Sequence, residues 1–517
     1  MKKYIMPLVL GMTLSVMTSC DDFLDTDPSK STSKTITDVS QLDALLASYS
    51  AIYSESNYTF LGTDDYGLTP ENTKARTSSP GSDDLDVFTW AGNCERSNRN
   101  LWDGEWSKVF RANLVLNNVD GVNGSDVEKA RVKAEAHFVR AYSMFQLAVC
   151  HCLYPNAANA SELGLPLKAT TSFEESVERL SLGETFDFIL ADIDEALKID
   201  KKLQSDGKIE NWRATTASVR AFAARVNLYL GNLDTAKKYA DEVIAEYSVL
   251  KDFNDPAEMY YHAVNDTYVI NMGTPDEETV TVRYPYTKQQ LYGTNGFPEL
   301  LGWKELLYVR TMSYASWWYL PSEDLLATFA RDIKDGNPDN DLRYRYFVIE
   351  DFGLRYCSRT DAGRLPGYCQ FYFDNLISGP TVAEMLLIRA EVQARTSQGD
   401  FGMADLNNLR KARIATEAYT ALSASSAAQA LKYIIDERRR EMPFTIRWYD
   451  LKRYNNNNDA SDDVTVNHPF YPYTSSAVQM QDAVVNHTLT PDSRHWAMPI
   501  PNVDILRSDN VLVQNQY

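Results

Sequence analysis

Cysteine and histidine are scarce in this chain, with six of each among 517 residues. Their spacings do not resemble a zinc site, and no cofactor is implied. The sequence has no G-x-S-x-G, no H-E-x-x-H, no phosphate loop and no dinucleotide fingerprint. A paired-carboxylate glycosidase stays open, because two acids brought together by folding leave no local motif. Positive charge is also in deficit: 51 Lys and Arg face 71 Asp and Glu, for a formal charge of −20. That field opposes a polyanion, so nucleic acid is disfavoured as a partner. The acidic stretch Asp332 to Asp341 lacks EF-hand spacing and a terminal Glu, and reads as a solvated turn rather than a calcium loop. Beyond the first twenty residues no run approaches the roughly 20 apolar residues of a membrane-spanning helix.

What the chain does have begins with an address. Lys2 and Lys3 precede an apolar run from Ile5 to Val16, too short to span a bilayer but suited to a signal peptide. Ser19-Cys20 sits where cleavage belongs, and Cys20 looks like the acylated acceptor of a bacterial lipoprotein signal. Several acyl chains there would give stable anchoring. The expected division is a signal peptide over 1–19, a Ser/Thr/Asp-rich tether over 20–37 and one domain over 38–517. Of the five remaining cysteines, Cys357 and Cys369 lie in one loop-like stretch and are candidates to pair.

Helical periodicity dominates the domain. Ala134, Phe138, Ala141, Phe145 and Ala148 step by four and three, as do Phe186, Leu190, Ile193 and Leu197. Val219 to Leu230 and Ala383 to Ala394 repeat the pattern. Gly231-Asn232-Leu233 with Ala236, and Gly399-Asp400-Phe401 with Ala404, mark two turns in which Gly caps one helix and a small Ala lets the next pack closely. The expected fold is therefore mostly α, with tetratricopeptide-like hairpins near 100–152, 184–247, 381–415 and 421–454. Stretches rich in Tyr, Trp, Gly, Pro and Asn near 58–98 and 251–380 read as irregular loops, where recognition concentrates.

Several motifs, in order, resemble the SusD/RagB family of Bacteroidetes outer-membrane lipoproteins. Cys20-Asp21-Asp22-Phe23-Leu24-Asp25 with Pro28 is similar to its mature N-terminus, and Trp106 through Asn113 to its first hairpin. Ala136 to Pro155 and Ala217 to Ile244 resemble its central helices, and Pro321 to Leu326 with Asp341-Leu342-Arg343 its mid-chain motif. Ile388-Arg389-Ala390-Glu391, Glu437 to Glu441, Arg447 to Arg453 and Pro499-Ile500-Pro501 complete the series. Glu437 to Glu441 alternate charge at helical spacing, and ion pairing outweighs a catalytic reading of Glu437 or Glu441. Trp448 reads as a packed anchor.

The resemblance implies a non-catalytic lipoprotein, lipid-anchored in the outer membrane and facing outward. It would capture a glycan and pass it to a SusC-like TonB-dependent transporter. A peptide-binding lid of the RagB kind and a surface glycoside hydrolase are the alternatives. Sugars pair apolar C–H faces with hydroxyls, so a binder needs flat rings flanked by polar groups. In the regions the family uses, those residues are Asp65, Arg76, Trp90 and Asn93, then Tyr292, Trp317 and Trp318. Each also has a structural reading, since Trp90 follows Val87-Phe88 and neighbours in Trp317-Trp318-Tyr319 face opposite ways.

Overall fold

The computed structural model describes residues 36–70, 81–92, 99–259, 261–270, 272–287, 300–313, 319–350, 366–371, 375–474, 477–478 and 482–517. Its helices pair along the chain. Arg99–Asn118 packs on Asp126–His151, which packs in turn on Leu182–Ala196. Thr216–Tyr229 pairs with Leu233–Glu246, and Val382–Arg395 with Met403–Arg413 and Ala427–Glu441; Arg447–Tyr454 closes the series. This is the mostly α arrangement of hairpins that periodicity predicts.

Local chemistry starts these helices where it should. Ser125 accepts from the Glu128 N–H at 3.2 Å while the Glu128 carboxylate accepts from the Ser125 N–H at 3.1 Å, and Ser181 with Glu184 repeats the exchange. Such reciprocal caps satisfy donors that a helix start otherwise leaves open. The predicted apolar face of Asp126–His151 is buried along its length. It locks onto the next hairpin through Phe222, which stacks on Tyr142 at 4.6 Å and meets Phe138 and Phe145 edge-on.

The two glycine turns are half as expected. Gly231 and Gly399 both take positive φ, and Ala236 is buried against its partner helix. Ala404, however, faces solvent. The close approach is made by Gly402, where an added Cβ would lie 2.5 Å from the Ala390 Cα. The stretch 251–380 is also less irregular than its composition suggests. It contains a ribbon of two ten-residue strands, Tyr261–Ile270 antiparallel to Glu278–Thr287.

A buried ionic network fixes this insertion to the helices. Glu437 lies 2.7 Å from Arg343, 2.7 Å from Arg440 and 3.1 Å from Arg410. Glu441 pairs with Arg413 and Arg343, and Arg413 reaches on to Glu305. Burial opposes the charge on Glu437, but the three guanidinium groups outweigh it and hold the carboxyl well below the usual range. Both acids are thus structural ion-pair partners. Asp341 belongs to the same network through Arg343 and is buried, whereas Asp332 and Asp335 of its stretch are exposed. Trp448 is a packed anchor, 1% exposed. Cys150, Cys152 and Cys369 are buried, and Cys357 lies outside the described residues. Among the described residues no helix is long and apolar enough to cross a membrane, and no cluster suits a metal ion.

Candidate functional site

The early segment and the mid-chain insertion are brought together by main-chain pairing. Ser54–Glu55 runs parallel to Thr311–Ser313, whose other edge takes Asn375–Ile377. Further on, the Gly67 N–H donates to the Leu320 carbonyl at 2.8 Å and the Ser322 N–H to that of Asp65 at 2.8 Å. Gly67 is required there, since a Cβ would sit 2.6 Å from the Pro321 carbonyl oxygen. Phe60 meets Tyr319 at 5.0 Å across this seam.

Asp65 holds the seam to the helical scaffold. Its carboxylate accepts from Arg439 Nε at 2.6 Å and from the Phe444 N–H at 2.9 Å, and the residue is fully buried. Phe444 takes φ of 66°, an unfavoured conformation for a non-glycine residue that this hydrogen bond helps to hold. Burial pushes the Asp65 carboxyl above its ordinary value, against the pull of Arg439 and Arg447. Neighbouring Asp64 goes the other way: burial raises it, but Arg447 and Arg439 prevail and hold it well below the usual range.

Trp90 is the second frame member. Its indole Nε1 donates to the Gly62 carbonyl at 3.1 Å, and its ring stacks on His468 at 4.6 Å. His468 stacks in turn on Phe88 at 4.1 Å, and burial lowers its pKa to about 4. Trp90 is 8% exposed, and the cavity it shares with Trp448, His495 and Tyr517 measures about 40 Å³. That volume suits a water molecule, not a sugar ring. Asp65 and Trp90, expected as ligand contacts, are therefore spent inside the fold, the first on Arg439 and Phe444, the second on Gly62 and His468. Arg76, Asn93, Tyr292, Trp317 and Trp318 lie outside the described residues, as does Cys20. The flanks Gly67 and Tyr319–Leu320 do share one seam.

A second cavity escaped the sequence reading. A cleft of about 590 Å³ runs between Arg99–Asn118, the 166–177 segment and Asn502–Arg507. Its signal was present in Trp102, Trp106 and Phe110, spaced by four on one helix face. It was masked because the same residues fit the first-hairpin pattern.

Two family models match this chain. One, described as starch-binding and associating with the outer membrane, covers residues 22–228; the other, the SusD family, covers residues 382–517. The chain belongs to the SusD/RagB family. A SusD-like protein P2 of Formosa agariphila is 22% identical over 442 residues, spanning 80% of this chain and 79% of that protein. A SusD superfamily protein from Bacteroides thetaiotaomicron superposes with a TM-score of 0.64 at 15% identity, covering 93% of this chain and all of that one. A laminarin-binding SusD-like protein gives 0.57 at 18% identity, covering 93% and 99%. At such identities the solved structures establish the SusD fold. The SusD family is one of carbohydrate-binding proteins associated with the outer membrane.

Proposed function

We propose that this SusD-family protein captures an oligosaccharide or polysaccharide at the outer face of the cell and hands it, uncleaved, to a SusC-like TonB-dependent transporter. Acylated Cys20 would hold it in the outer membrane, and residues 20–37 would tether the domain. The observation that carries the reading is the shared seam between the early segment and the insertion, in a chain of this family. The Gly67–Leu320 and Phe60–Tyr319 contacts join the stretch that precedes Arg76 to the residues that follow Trp317 and Trp318; Asn93 and Tyr292 are added on their residue type and the family resemblance. These five residues are the proposed ligand contacts, with Asp65 and Trp90 as the frame behind them. Stacking on rings suits a carrier, because many weak contacts hold a sugar without committing it to reaction.

Affinity electrophoresis in gels containing plant, host or microbial polysaccharides tests the reading. Trp317→Ala or Trp318→Ala should weaken retention about tenfold while circular dichroism keeps its helical signal. Retention by no polysaccharide, with binding to peptides instead, would replace the glycan by a peptide. A gentle-detergent pull-down should recover a large outer-membrane barrel protein, and a lone monomer would contradict the transporter role.

A further inference from the structure

We propose that the cleft bounded by Arg99–Asn118, the 166–177 segment and Asn502–Arg507 is a second oligosaccharide site, built from residues other than the five proposed above. Its floor is aromatic and graded. Trp102 is buried and meets Trp106 edge-on at 5.6 Å, while Phe110 stacks on Phe173 at 6.2 Å with ring planes 23° apart. Exposure rises outward, from 5% at Trp102 to 42% at Phe110 and 94% at Phe173. A phenyl ring that exposed gains almost nothing from the fold that carries it.

Yet the loop beneath Phe173 is firmly held. The Glu175 carboxylate accepts from the Ala169 N–H at 2.9 Å, the Thr170 N–H at 3.2 Å and the Thr170 hydroxyl at 3.0 Å. Lys168 donates to the Glu175 carbonyl, and Asn113 Nδ2 donates to the carbonyls of Lys168 and Thr170 at 2.9 and 3.1 Å. The helix that supplies Trp102, Trp106 and Phe110 therefore also anchors the loop that displays Phe173. An exposed ring on a loop tied down this way is pre-organised, and binding to it costs little further ordering.

The mouth supplies the polar half of the match. Asp103, Ser107, Thr171, Ser172, Arg507 and Ser508 line the cleft around the rings. Arg507 is exposed and forms no ion pair among the described residues, an unused cation in a chain of charge −20. The Trp106 indole N–H, by contrast, is buried beneath the rings and has no partner among the described residues. A volume of about 590 Å³ lies within the range of small-molecule clefts, roughly 300–1,000 Å³. Flat rings bordered by hydroxyls, a carboxylate and a free guanidinium fit the alternating C–H faces and hydroxyls of a saccharide.

The full mature protein should be run in affinity gels containing starch, laminarin and a panel of plant, host and microbial polysaccharides. The variants are Phe110→Ala, Phe173→Ala, Arg507→Ala and Trp317→Ala, singly and combined. Phe173 and Arg507 are exposed, so unchanged circular dichroism is expected. For a retained polysaccharide, Phe173→Ala should weaken retention severalfold. Combining it with Trp317→Ala should multiply the two losses, as two sites that hold one polysaccharide chain at the same time require. Hydrogen exchange should show protection over 102–113 and 166–177 with that polysaccharide. Normal retention by the Phe110, Phe173 and Arg507 variants overturns the second site while leaving the loop site intact. Loss with the Trp317 variant absent, but present with Phe173→Ala, supports the second site and removes the first. Protection of the cleft by outer-membrane protein but by no polysaccharide overturns the assignment in favour of a protein contact.

Discussion

Replacing Glu437 by Gln keeps its shape and removes its charge from the centre of three buried arginines. Arg343, Arg410 and Arg440 are each 2% exposed or less, so no water compensates for the lost carboxylate. Breaking a buried ion pair from one side costs about 3–5 kcal/mol. Each arginine keeps another acceptor here: Arg343 has Asp341, Arg410 the Asp332 carbonyl, and Arg440 the Thr328 carbonyl at 2.7 Å. The loss should fall at the low end, about 3 kcal/mol, or roughly two decades in the folding constant. Urea unfolding of wild type and variant at pH 7 measures it as a lowered midpoint. The same group sets a pH window. Its folded pKa lies below its ordinary value of 4.5, so its stabilisation is complete above that value and is lost as pH falls through it toward the folded pKa. The gap between wild type and Glu437→Gln should therefore begin to narrow below about pH 4.5 and go on narrowing as pH falls toward the folded pKa. An unchanged midpoint at pH 7, with lost processing of a bound glycan, would refute the structural role and restore a catalytic one.

Three other outcomes follow from the same structure. Cys20→Ala should incorporate no labelled palmitate and should leave the outer-membrane fraction; a variant that stays acylated and membrane-bound would contradict the lipoprotein signal. Gly67→Ala forces a Cβ to within 2.6 Å of the Pro321 carbonyl, and should lower the stability by about 1–3 kcal/mol, read as a lower unfolding midpoint, while helix content persists. Trp90→Ala should cost about 3–5 kcal/mol of stability, because the ring is packed on His468. If that variant keeps its midpoint and loses glycan retention, Trp90 is a ligand contact after all.

The helical half of the molecule was legible in the sequence because it is governed by local rules. An apolar residue every three or four positions, a Ser with a Glu three later, and a Gly after the last turn each act within one or two turns of helix. Ala404 misled because the turn before it uses Gly402, two residues earlier, for the close approach. The insertion was harder. Its ribbon Tyr261–Ile270 and Glu278–Thr287 is interleaved with Asn, Asp and Pro, which weakens any period of two. The frame was harder still. Asp65 and Arg439 are 374 positions apart, and no spacing relates a carboxylate to a guanidinium at that separation. A Trp beside polar residues reads as a ligand platform until His468 is seen against its face. Residue type and order suffice to recognise the SusD family; which rings are core and which are free depends on contacts between distant segments.

Capture without cleavage can be tested directly by one measurement. Purified protein is run in native gels with each polysaccharide of the panel, and any polysaccharide that retards it is then incubated with the protein and sized by chromatography. At least one polysaccharide should retard the protein and keep its chain length after incubation. Shortened chains, or retardation by none of them, would contradict capture without cleavage.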